Sequence, residues 1–141
     1  MILISHRGNI NGRIPELENT KNYIELAILN GFNVEIDIWW FKDSFWLGHD
    51  EPKYPVNAKY LQRKELWCHA KNLEAINEMS KYPIHYFWHQ EDDITLTSQG
   101  YIWAYPGKQP IKNSIAVLPE IYKDKVDVCK GICSDKIELY K

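Results

Sequence analysis

"VEIDIWWFKDSFWLGHDEP", residues 34–52, decides how this chain is read. Its β-branched and aromatic content marks "NVEIDIWWF" as a strand, and "KDS" turns the chain into a second extended piece, "FWLGHD". Residues two apart in a strand share a face and lie about 6.6 Å apart along the chain. Glu35 and Asp37 therefore point one way, while Val34, Ile36 and Ile38 point the other. Charged groups are costly in an apolar interior unless they are paired or bind a cation. Two carboxylates on one strand face thus predict a site.

The same arrangement recurs outward from this stretch. "ILIS" is a short apolar run suited to a buried strand, and His6 and Arg7 follow it directly. "NTKNYIELAILNGF" reads as a helix, with Asn19 or Thr20 as its cap and Gly31 placed to end it. A short helix fits residues 57–64. "ELWCHAK" reads as a strand in which His69 and Lys71 share a face, and "NLEAINEMSKY" as the next helix. "PIHYFWHQ", "GYIWAYP", "SIAVLPE" and "KGICSD" are further strand candidates, with no room for full helices between the later ones. Strands alternating with helices predict a parallel sheet, in which ligands gather outside the carboxyl ends of the strands. His6, Arg7, Glu35, Asp37, His69 and Lys71 all sit late in, or just beyond, such strands, and the turn brings His49 back toward them.

The residue types suggest phosphodiester chemistry. Paired carboxylates offer hard oxygen ligands for Mg²⁺ or Ca²⁺. Arg7 and Lys71 supply donors for phosphate oxygens, and two histidines can exchange proton-transfer roles near neutral pH. The competing plain reading of Glu35 and Asp37 is a half-exposed edge strand. It is the convergence of several such features that outweighs it. His85 and His89 with Cys129 and Cys133 would make an irregular zinc set, and buried strand histidines and small apolar cysteines are the better account.

Bulk properties narrow the class. The 141 residues predict one domain spanning 1–141, and a net charge of −2 gives no basic surface for nucleic acid. Three cysteines make no disulfide framework. No apolar stretch is long enough to cross a bilayer, and "MILISHRGN" carries no basic leader, so a cytoplasmic protein is expected.

"SHRGN", "ELENT", "VEIDIWW", "KDSFWLGHDEP" and "CHAKN" occur in the order and approximate spacing of the glycerophosphodiester phosphodiesterase family, and the chain resembles it strongly across residues 4–71. The resemblance continues weakly in "YIWAYPG" and "GICSDKIE". It implies a TIM-type α/β barrel, reduced or truncated because such barrels take about 250 residues, with few outer helices in the C-terminal half. A homo-oligomer would cover the face those helices leave bare. It further implies His6 and His49 as the acid–base pair, Arg7, Lys71 and Glu18 as substrate contacts, and Glu35 and Asp37 as metal ligands. The family's third carboxylate ligand is replaced here by His69; Mg²⁺ or Ca²⁺ is the expected ion, and the imidazole admits a softer one such as Mn²⁺ or Zn²⁺. The expected activity is metal-dependent cleavage of a small glycerophosphodiester-like or lysophospholipid-like substrate. The alternative is a phosphate-ester-binding module without catalysis.

Overall fold

In the computed structural model, which describes residues 1–141, the chain forms one mixed sheet of ten strands with three short helices. The strands are β1 (Ile2–His6), β2 (Asn33–Phe41), β3 (Ser44–Leu47), β4 (Tyr54–Val56), β5 (Leu66–Ala70), β6 (Tyr86–Phe87), β7 (Ile94–Leu96), β8 (Ile102–Ala104), β9 (Ser114–Val117) and β10 (Gly131–Ser134). The helices are α1 (Lys21–Leu29), α2 (Ala58–Leu61) and α3 (Leu73–Met79). A 3₁₀ turn over Ile137–Tyr140 follows β10.

β1 is the hinge of the topology. It pairs in parallel with β2 on one side and with β10 on the other. From there the sheet runs in parallel through β9 to β8 in one direction, and through β2 and β5 to β6 in the other. Antiparallel pieces are grafted on: β3 pairs with the second half of β2, β4 pairs with β3, and β7 pairs with β8. The sheet curls, and its two ends meet through isolated hydrogen bonds instead of a ladder. Ser98 donates its N–H to the Tyr86 carbonyl at 2.8 Å, and Thr95 Oγ1 donates to the Trp88 carbonyl at 2.9 Å.

This corrects the expected α/β barrel. The fold is a mostly-β curled half-barrel, not a TIM barrel, even a reduced one. Residues 105–113 and 118–130, which link β8 to β9 and β9 to β10, contain no helix. α3 is seven residues long and α2 only four. Pro106, Gly107 and Pro110 in "YPGKQPIKN" break any helical period, so the parallel crossover there is made by turns.

Where helices do form, their caps are legible. Thr20 accepts from the Tyr23 N–H, Asn57 from Tyr60 and Asn72 from Ala75. The "KDS" turn is a tight hairpin with Lys42 and Asp43 both at positive φ, the twist a two-residue connection demands. The core divides by sheet face. Val34, Ile36 and Ile38 pack outward against Ile24 and Ala27 of α1 and Ala75 and Met79 of α3. On the concave face, Ile4, Trp67, Phe87, Trp103, Ile115 and Cys133 form a second cluster. Glu35 and Asp37 point into that concave side, at the carboxyl end of the sheet.

Candidate functional site

Two neighbouring strands set the centre of the site. β2 and β5 pair with Asp37 opposite His69 and Glu35 opposite Trp67, so Glu35, Asp37 and His69 converge with one ligand atom each inside a 4.8 Å spread. Both carboxylates are buried, Glu35 at 2% and Asp37 at 0% exposure. His69 Nδ1 lies 3.5 Å from Glu35 Oε1 and 3.4 Å from Asp37 Oδ1. The far nitrogen, Nε2, donates to the His89 carbonyl at 2.8 Å, and the ring stacks on Phe87 at 4.9 Å between centroids. That anchoring turns Nδ1 toward the carboxylates. Burial lowers the His69 pKa, but its contacts with Asp37 and Glu35 prevail and hold it up at about 9.

Each carboxylate keeps one oxygen uncommitted. Asp37 Oδ2 accepts from Asn19 Nδ2 at 2.9 Å and sits 3.2 Å from Arg7 Nε. Asp37 Oδ1 and Glu35 Oε2 are buried without a hydrogen-bond partner. Buried polar atoms are normally satisfied, and two orphaned carboxylate oxygens beside an oriented imidazole nitrogen are the donor set of a divalent-ion site. The residues present fit a metal.

The first loop is held in an uncommon backbone shape. Arg7 has φ 57° and Gly8 φ 95°, and a Cβ on Gly8 would lie 2.6 Å from the Tyr23 ring. Arg7 donates its backbone N–H to the Glu35 carbonyl at 2.9 Å, and Asn19 donates its own to the Arg7 carbonyl at 3.1 Å. Such strain persists only where the surroundings fix it. It aims the Arg7 guanidinium between Glu18 (Nη1 to Oε2, 3.0 Å) and Asp37. Burial lowers the Arg7 pKa and its carboxylate neighbours, Asp37 first, raise it by more, so its charge is secure.

His6 sits at the end of β1 with Nδ1 2.7 Å from Asp135 Oδ1 and Nε2 3.8 Å from Glu35 Oε2. Asp135 directly follows β10, the partner of β1, and is also held by Asn9 Nδ2 at 2.8 Å. Burial lowers the His6 pKa, but the Asp135 hydrogen bond and the Glu35 charge more than compensate and raise it. With Nδ1–H donated to Asp135, Nε2 faces the site, an arrangement that fixes the tautomer of a general base.

His6, Arg7, Glu35, His49, His69 and Lys71 line one cavity of about 420 Å³, within the range of small-molecule sites. Of the other sequence-assigned residues, Asp37 is fully buried beneath that lining and Glu18 lies outside it. Glu18 is the one that does not join the ligand cluster. It accepts from Arg7, Arg13 and Asn9 behind the site, and so positions Arg7 while bordering a smaller cavity. His49 is the most open of the group, 40% exposed and paired to Asp50 at 2.7 Å.

Asp135, Asn9 and Asn19 were not singled out by sequence. Asp135 carries a usable signal, since it directly follows its strand, as Arg7 follows β1. Asn19 reads as a helix cap but instead bonds both the side chain and the N–H of Asp37. His85 and His89 do not share a strand face: β6 is only Tyr86–Phe87, and His85 Nε2 is spent on Thr97 Oγ1 at 2.7 Å. No helix is long and apolar enough to cross a membrane. No family model, curated protein or solved structure matches the chain.

Proposed function

We propose that this protein is a metal-dependent phosphodiesterase acting on a small glycerophosphodiester-like or lysophospholipid-like substrate. The observation that carries this reading is an Asp135-oriented His6 meeting Glu35 and His69 in the lining of one cavity, with Asp37 buried beside them and one oxygen of each carboxylate left without a hydrogen bond. Glu35, Asp37 and His69 would hold a divalent ion, and such an ion stabilises negative charge developing on phosphoryl oxygens.

The chain's own groups supply the rest. His6 Nε2 accepts the proton of the attacking hydroxyl, and the imidazolium so formed is stabilised by Asp135 and Glu35. His49, on the rim of the cavity with Asp50 against its Nδ1, delivers a proton to the leaving oxygen. Arg7 presents a planar fork to the phosphate, and Lys71 adds a point charge. Because only two Arg7 nitrogens are engaged by Glu18 and Asp37, donors remain for a ligand.

The test is hydrolysis of a panel of glycerophosphodiesters with Mg²⁺, Ca²⁺, Mn²⁺ and Zn²⁺ in turn. His6→Ala and His49→Ala each lower turnover by roughly 10²–10⁴-fold, the worth of one positioned proton transfer. Folded protein that turns over no diester with any of the four ions overturns the catalytic reading. Phosphate-ester binding without product would then make the chain a binding module.

A further inference from the structure

The cavity is two-sided. The wall opposite His6, Arg7 and Glu35 is made by Trp103, Tyr105, Val117, Leu118, Ile121 and Tyr122. It grades from the interior outward. Trp103 and Val117 are buried, whereas Tyr105, Ile121 and Tyr122 at the mouth are 39%, 56% and 64% exposed. These three form a continuous apolar lane leading out of a charged site.

The lane is built and not a loose rim. Leu118 N–H donates to the Cys133 carbonyl at 2.7 Å, fixing the start of the loop to β10. Gly107 N–H donates to Asp124 Oδ2 at 2.8 Å, tying the β8–β9 loop to the β9–β10 loop. The Tyr122 ring lies over Gly107 so closely that a Cβ there would stand 3.1 Å from Cδ2. The helix-free crossovers that depart from a barrel are the segments that make this wall.

On the other side of Arg7 and His49 the chemistry reverses. A second cavity of about 140 Å³ is bordered by Arg13, Glu18, Asp50 and Lys53, with a single hydrophobic residue in its lining. A phosphodiester held at Arg7 therefore has a polar recess on one side and an apolar lane on the other.

We infer that the substrate is a single-chain amphiphilic phosphodiester, whose alkyl or acyl chain lies along Trp103, Leu118, Ile121 and Tyr122 while its polar alcohol occupies the recess beside Arg13 and Lys53. The inference rests on the phosphodiesterase reading for the placement of the phosphate and deepens it by choosing between its two substrate classes. A water-soluble diester would leave the lane wetted and gain nothing from it. A chain gains transfer free energy with each methylene it buries.

The experiment uses n-alkyl phosphocholines from methyl to octyl, kept below micelle-forming concentrations, with the unmodified full chain. These diesters have no hydroxyl able to attack phosphorus, so binding is read apart from turnover, by calorimetry and by Trp fluorescence. Affinity is expected to rise about fourfold per methylene from methyl to hexyl and then to level off as the chain leaves the lane. Ile121→Asn and Tyr122→Ser, both at exposed positions, are expected to flatten that slope. Leu29→Asn, on the exposed face of α1 (85% exposed), keeps it. Affinity independent of chain length overturns the inference, as does binding of none of the series. A slope that survives both rim substitutions overturns it too, because the chain would then lie elsewhere. Turnover is scored separately with glycerophosphodiesters. A retained slope without turnover sinks catalysis alone, and turnover without a slope sinks the amphiphile alone.

Discussion

His6 Nδ1 and Asp135 Oδ1 stand 2.7 Å apart although 129 residues separate them in sequence. The pairing of β1 with β10, with Ser5 opposite Ser134, places the two residues side by side at the carboxyl ends of the strands. The site therefore depends on a long-range parallel ladder for the orientation of its base.

Asp135→Asn is expected to lower kcat on the order of 10²-fold or more while leaving KM near its starting value. The amide removes the charge that stabilises imidazolium without removing the side chain's volume. Asp135→Glu should recover part of the loss. Steady-state kinetics with a metal-loaded protein reads both. Equal losses in a His6→Ala background would show that Asp135 acts elsewhere.

Glu35→Gln is expected to abolish stabilisation by divalent ions and to lower the stability of the metal-free protein. The Glu35 carboxylate faces His69 and His6 and helps hold their pKa values up against burial, and removing one partner of a buried charge pair costs about 3 kcal/mol. In the unmodified chain, an ion at a hundred times its Kd adds about 2.7 kcal/mol. Thermal denaturation with and without Mn²⁺ checks both effects. Metal-free stability left unchanged or raised would contradict the second.

Gly48→Ala should destabilise the fold by ~2 kcal/mol and reduce turnover further. Gly48 has φ 151°, and a Cβ there would collide with the Glu51 carbonyl oxygen. The Gly48 carbonyl also accepts from Trp39 Nε1 at 2.6 Å. Relief of the clash moves the loop that carries His49. Urea unfolding and kinetics on the same sample separate the two effects.

His85 gives the chain a defined acid limb of stability. Burial holds its pKa down at about 4 against an ordinary value of 6.5. Between those values the unfolded chain binds the proton and the folded chain does not. Stability is therefore full above about 6.5 and is lost as pH falls toward 4, by up to ~3 kcal/mol. The ring faces Trp67, Tyr101 and Thr97, none of them charged at that pH. His85→Gln, which keeps a partner for Thr97, should flatten this part of the profile in denaturation curves taken from pH 7 to pH 4.

The first half of the fold was legible because its signals are local. Thr20 and Gly31 bracket α1 closely, and the alternation of Glu35 and Asp37 with Val34, Ile36 and Ile38 assigns the two faces of β2. The second half was not. "ITL" at β7 alternates over only three residues, too few to stand out from the polar run around it, yet it pairs with β8, Ile94 opposite Ala104 and Leu96 opposite Ile102. "PIHYFWHQ" looks like a long strand, but only Tyr86 and Phe87 pair with β5. Family resemblance over residues 4–71 carried over an architecture that residues 105–130 do not have the helices to build. Six residues of the candidate site come together because strand alternation and strand ends set their positions. Asp135 and Asn19 escaped because their roles depend on which strands become neighbours, and that information is tertiary.

The position of β1 bears on how the protein comes into being on the ribosome. The strand made first lies between β2, made soon after, and β10, made more than a hundred residues later. Until residues 131–134 emerge, one edge of β1 is an open template for foreign strands, and His6 has no Asp135 to orient it. Competence would thus appear abruptly once residues 131–135 emerge instead of accumulating with chain length. The delay would leave a window in which a chaperone, or another nascent copy, competes for the vacant edge.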